Sequence, residues 1–150
     1  MYDAAPLIAV IASHASESGL FNNVLSHELI SPPTNGLTAA VWVQRIDPLP
    51  TASGLSSTTG RLLFNVRLYY NSSQGSDSLE AEMINAATAL MGAYSGDFEF
   101  GGLIRDIDLL GQYGEGLTAE AGYIEFSDSL VRVMTLTVPL VVNDLWEQVE

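Results

Sequence analysis

From Leu130 to Asp144 the chain reads LVRVMTLTVPLVVND, and both residue parities carry apolar or β-branched side chains. Leu130, Met134, Leu136, Val138, Leu140 and Val142 fall on even positions, and Val131, Val133, Thr135, Thr137 and Val141 on odd ones. Alternate residues of a strand face opposite sides, so this pattern predicts a strand covered on both faces, interior to a sheet. Pro139 has no N–H for a ladder, which predicts either a bulge or a point where the strand becomes an edge facing another chain. Residues 61–70 alternate more cleanly, with Leu62, Phe64, Val66, Leu68 and Tyr70 one way and Arg61, Asn65, Arg67 and Tyr69 the other. Upstream, LTAAVWVQRIDPL sets Val41 and Val43 on one face and Trp42, Gln44 and Ile46 on the other; the two stretches predict a hairpin. A second hairpin is expected from residues 119–127 and the final strand, turning at Asp128 and Ser129, and a further strand from about Leu103 to Leu110.

Two stretches carry helical spacing instead. Asp3 is placed to cap a first helix in which Pro6 falls within the first turn, Leu7, Ile8, Val10, Ile11 and Ala15 form a wide apolar face, and Gly19 supplies the stop. Asp77 and Glu80 form a capping-box pattern for a second helix, whose Leu79, Met83, Ala86, Ala87, Leu90, Met91 and Tyr94 trace one stripe to Gly96. The residues between the first helix and Asn35 read as an irregular connector ending in SPPTNG. The order helix, hairpin, helix, hairpin predicts an α+β fold in one domain over residues 1–150: one mostly antiparallel sheet built from two hairpins, with two helices on one face. The segment around 48–60, PLPTASGLSSTTG, is too small and polar to build a core and is expected to form an extended hairpin arm that orders on assembly.

Charge narrows the class of partner. Eighteen carboxylates face only five arginines, Arg45, Arg61, Arg67, Arg105 and Arg132, with no lysine, for a formal charge of −13. Affinity for nucleic acid comes largely from cations neutralising phosphates, so most of this surface repels DNA, a property suited to a passage through which DNA slides. The absence of cysteine excludes disulfides, thiolate metal sites and a cysteine nucleophile. No apolar run is long enough to span a bilayer and the first residues carry no basic leader region, so a soluble intracellular product with no membrane partner is expected.

Candidate chemistry is thin. Asp97 with Glu99, Asp106 with Asp108, and Glu125 with Asp128 are carboxylate pairs of the kind that serves a hydrolase or a hard cation, yet eighteen acids generate such pairs by chance. His14 reads as a capping or packed histidine and His27, beside Glu28, as a loop histidine without a nucleophile. The glycine-rich Gly111–Gly116 loop reads as a turn, because Glu115 would oppose a phosphate. Asn71-Ser72-Ser73 matches a glycosylation acceptor only by chance if the chain is not exported. No catalytic residue, metal ligand or cofactor site is expected, and the chain reads as a non-enzyme.

Several phrases, GLTAAVWVQRI (Gly36 to Ile46), FNVRLYYN (Phe64 to Asn71), AYSGDFEFGG (Ala93 to Gly102), DLLGQYG (Asp108 to Gly114), AGYIEF (Ala121 to Phe126) and TLTVPLVVNDLW (Thr135 to Trp146), resemble the tail terminator proteins of long-tailed bacteriophages of actinobacteria. The resemblance implies an α+β subunit of a hexameric ring in the virion. Assembled in the host cytoplasm, the ring caps the head-proximal end of the tail tube, stops its polymerisation and joins it to the head connector, while DNA passes through without specific binding. Its partners are then further copies of itself, the tail tube protein and the head-tail connector or stopper protein. Within that expectation Pro50 and Leu55 of the arm, the aromatics Trp42, Tyr69 and Trp146, and the hairpin arginines Arg45 and Arg67 are the candidate subunit contacts, aromatics and arginine being favoured at interface centres. For each aromatic the alternative is a place in the chain's own core, and for each arginine a local ion pair. The other readings are another connector or tail-completion protein, a small acidic cation-dependent binding module, and an enzyme using paired carboxylates.

Overall fold

The computed structural model describes residues 2–33, 36–50, 53, 57–71, 78–126 and 129–147, residue 147 in its backbone alone. Eight regular elements follow one another: α1 (Ala5–Ser18), β1 (Asn23–Leu25), β2 (Leu37–Pro48), β3 (Ser57–Asn71), α2 (Leu79–Gly96), β4 (Asp106–Ile107), β5 (Thr118–Phe126) and β6 (Ser129–Glu147). The strands form one sheet in the order β1-β2-β3-β6-β4, with β5 also beside β6. Only β1 is parallel to its neighbour. The fold is therefore α+β with both expected hairpins in place.

The expected interior strand is β6. It pairs with β3 on one side, and on the other with β5 over residues 129–137 and with β4 over residues 140–141. Pro139 makes neither a bulge nor an outer edge. Its carbonyl accepts the Asp108 N–H at 2.9 Å, so its nitrogen points the same way, into the gap where β5 has ended and β4 begins. A residue without a donor fits a position where none is needed.

The helix side of the sheet holds the main core. Leu7, Ile11 and Ala15 of α1 and Met83, Ala86, Ala87, Leu90 and Tyr94 of α2 pack on Phe64, Val66 and Leu68 of β3 and Leu136, Val138 and Leu140 of β6. Burying each of the larger side chains contributes roughly 1.5–3 kcal/mol, which makes this layer the main source of stability. The Tyr94 hydroxyl, buried between the helices, donates to the Ile11 carbonyl at 3.0 Å and so satisfies the one polar atom the ring carries in. Gly19 ends α1 with φ of 72°, as the sequence predicts, whereas the N-cap residue is Ala4 and Asp3, one position before it, accepts the Ala5 N–H at 3.0 Å.

Five expectations need correction. The connector before Asn35 contains β1, three residues too short to show a period. The strand anticipated from Leu103 to Leu110 is reduced to Asp106–Ile107, because the chain is still bending at residues 103–105, just after a 3-10 turn at Phe100–Gly102, and turns again at residues 109–110. The second helix takes Ser78 as its N-cap residue, and the Ser78 hydroxyl donates to Glu82 at 3.2 Å; Glu80 instead turns outward to Arg132, and Asp77 lies outside the described residues. Ser57–Gly60, assigned to the arm, belong to β3, with Thr58, Thr59 and Gly60 buried against β6. In β2 the pairing skips Gln44 between Val43 and Arg45. One extra residue reverses every later side chain, so Ile46 stands opposite Leu62 on the helix side, with Val41 and Val43, and not with Trp42.

Candidate interaction edges

Backbone polar groups of successive strand residues point to opposite sides, so the register fixes which groups are left over. Pro139 points away from β3, hence the odd residues of β6 face β5, and in β5 it is Ala119, Ala121, Tyr123 and Glu125 that turn their N–H and C=O outward. By the same alternation Val41, Val43 and Ile46 direct theirs outward from β2, beyond the three residues that β1 covers. Among the described residues the two longest open stretches of edge are therefore the distal half of β2 and the whole of β5, and they are not equivalent. Unpaired edges of this length are templates for adding another strand.

Their side chains differ in kind. Val43 and Ile46 remain 44% and 54% exposed although they face the helix side, because α1 begins too late to cover them. With Tyr2, Leu62, Leu145 and Trp146, Ile46 rims an apolar hollow at the start of α1. Along β5, by contrast, Glu120 and Glu125 are exposed and Tyr123 lies under the Arg132 guanidinium, 4.6 Å from the ring centre.

The sequence-predicted contact residues separate into two groups. Trp42, Arg45, Arg67 and Tyr69 share the face opposite the helices, since Trp42 stands beside Asn65, and Arg45 beside Leu63. Arg67 stacks over Trp42 at 5.1 Å, donates to Thr135 at 2.8 Å and lies 3.9 Å from Glu28, so its partners are local. Arg45 pairs with Asp47 at 2.7 Å on the surface. Tyr69 is fully buried in a small cluster with Ala40, Val131 and Val133, where burial raises its hydroxyl pKa above the ordinary tyrosine value and the Arg67 charge opposes that rise. Pro50 is exposed at the β2–β3 turn, Leu55 lies outside the described residues, and Trp146 is half-exposed at the end of β6. Sequence reasoning missed Val43 and Ile46, because the bulge that aligns them leaves no mark in a period-two pattern.

Asp106 lies near enough to Asp108 and Glu99 to feel both charges, while Asp128 of the third carboxylate pair lies outside the described residues. Asp97 accepts from His14 Nε2 at 2.9 Å, with His14 edge-on to Tyr94. Asp108 is buried, 3.3 Å from the equally buried Arg61, and also accepts the N–H groups of Gln112 at 2.6 Å and Tyr113 at 3.0 Å. Arg61 in turn donates to the Glu115 carbonyl. Gly114 has φ of 152°, and a Cβ there would sit 3.1 Å from Arg61 Nη1, so glycine lets the loop close over the guanidinium. The Gly111–Gly116 segment is thus a turn anchored from below. Among the described residues no three His, Asp or Glu side chains gather as a metal site would require. Compared with known families and curated proteins, the chain matches no family model and no curated sequence.

Proposed function

We propose that this protein is a structural subunit of a bacteriophage virion, a tail terminator that closes into a ring on the head-proximal end of the tail tube and receives the head connector. The observation that carries the reading is the pair of unlike open edges. A cyclic ring is built from heterologous contacts, in which one patch of each subunit meets a different patch of the next, and such a contact requires two distinct complementary surfaces on one chain. The β2 edge is apolar, with Val43, Ile46 and Trp146, its Arg45 being paired with Asp47; the β5 edge is polar and acidic, with Glu120 and Glu125. Joining them would continue the sheet from subunit to subunit and cover the hollow beside Trp146. The phrase-level resemblance to tail terminators supplies the ring order of six and the tube as the surface on which it closes. A charge of −13 suits a channel wall that must not hold DNA.

The test is the mass of the purified chain by native mass spectrometry, alone and after incubation with polymerised tail tubes. A hexamer, either free or only on tubes, supports the proposal. A chain that stays monomeric in both conditions overturns it.

A further inference from the structure

The Asp108-anchored turn holds a leucine in full solvent. Leu110 is 99% exposed, although its backbone neighbours are fixed: Gly111 N–H donates to the Asp108 carbonyl, Gln112 and Tyr113 N–H to the Asp108 carboxylate, and Leu117 N–H to the Leu109 carbonyl. Phe98, half-exposed, lines the same open groove as Leu110, and Asp106 lines it too. A large apolar side chain held in water on a rigid support loses little freedom when it inserts into a partner, which is how interface anchors gain affinity.

From this arrangement we infer that Leu110, Phe98 and Asp106 form a docking surface for a different protein, one presenting an apolar pocket or segment flanked by lysine or arginine. The charge of the groove chooses the partner. Asp106 is crowded by Asp108 and Glu99, and its carboxyl sits above the ordinary range, chiefly through partial burial, with Arg105 only partly offsetting the effect. A cation delivered here would relieve that repulsion in a desolvated setting. A second copy of this chain is ill-suited to deliver it. The chain has no lysine, Arg45, Arg61, Arg67 and Arg132 are each paired with a carboxylate of their own, and the charge of Arg105 already acts on Asp106 of its own chain. The inference does not rest on the ring, since the surface shares no residue with the β2 or β5 edge.

The probe is a short fluorescent peptide of leucine and lysine, compared with its leucine and glutamate counterpart, in titrations against the full chain and three variants. The lysine peptide is expected to bind, the glutamate peptide not. Leu110→Ser and Asp106→Asn are each expected to raise Kd by about tenfold or more, as for a central anchor and a charge-assisted contact. Glu125→Gln removes the same charge far from the groove and is expected to change Kd by less than about twofold, the size of a peripheral charge effect. Equal binding of both peptides, or equal losses in Asp106→Asn and Glu125→Gln with none in Leu110→Ser, would mean diffuse attraction to an acidic chain and overturn the assignment.

Discussion

Arg61 and Asp108 face each other at 3.3 Å with both side chains buried, joining the second residue row of β3 to the turn that follows β4. The two halves of this pair are not equally supported. Asp108 keeps two backbone donors if the guanidinium is removed, whereas Arg61 keeps only the Glu115 carbonyl if the carboxylate is removed. Removing one partner of a buried ion pair typically costs about 3–5 kcal/mol through the uncompensated charge left behind. Asp108→Ala is therefore expected at or above the top of that range and Arg61→Met toward its bottom. Urea unfolding of the two variants measures the order, and a larger loss in Arg61→Met would contradict it.

Tyr94 offers a smaller, cleaner test of the helix layer. Its hydroxyl is raised above the ordinary tyrosine pKa by burial alone and donates to the Ile11 carbonyl, which also lies within helix α1. Tyr94→Phe keeps the ring's packing and removes one neutral hydrogen bond, so a loss of about 1 kcal/mol is expected by chemical denaturation. A loss several times larger would show that the hydroxyl orients α1 as well as satisfying a carbonyl.

Asp106 carries a pH dependence of stated sign. Folding raises its pKa, chiefly by burial, so the native state binds its proton more readily than the unfolded chain does. The ionised carboxylate thus opposes folding in full above the folded pKa, and the opposition fades as pH falls through that value toward the unfolded one. Asp106→Asn is expected to raise Tm near pH 7.5 and to lose that advantage progressively as the pH is lowered toward the ordinary aspartate value of about 3.9. An advantage that persists unchanged at the lower pH would assign the gain to packing instead of charge.

How far the sequence disclosed this molecule depended on length and period. β3 and β6 are long enough for alternation to mark their faces, and both helices carry stripes that match the residues they bury, from Leu7 to Ala15 and from Met83 to Tyr94. β1, of three residues, exists only because β2 pairs with it, and no local signal could announce it; β4 falls within the strand expected from Leu103 to Leu110 but keeps only two of its residues. The candidate edges were legible only in part. Arg45, Trp42 and Trp146 stood out by residue type, but their grouping depends on a register shift at Gln44 and on where α1 begins, both products of tertiary packing. Leu110 was hidden for a related reason: in a strand it would have had a partner, and it is exposed because Asp108 and Arg61 turn the chain there instead.

The proposed ring contact makes a prediction that separates folding from assembly. Ala121 lies in the middle of β5 with its N–H directed away from β6, so a proline there removes no hydrogen bond from the chain's own sheet, and edge strands tolerate proline at such positions. It does remove a donor that an incoming β2 edge would require and places a ring in its path. Ala121→Pro is expected to unfold within about 1 kcal/mol of the parent, the range of a tolerated surface change, while its ring population falls below detection. Gly122 is the matched control, since its N–H points inward to β6 and the register places it beside Val133. Gly122→Pro is expected to lose stability outright by breaking the ladder. If Ala121→Pro were as stable as the parent and still formed rings on tail tubes, the β5 edge would not be the subunit contact, and the sheet would have to end within each subunit.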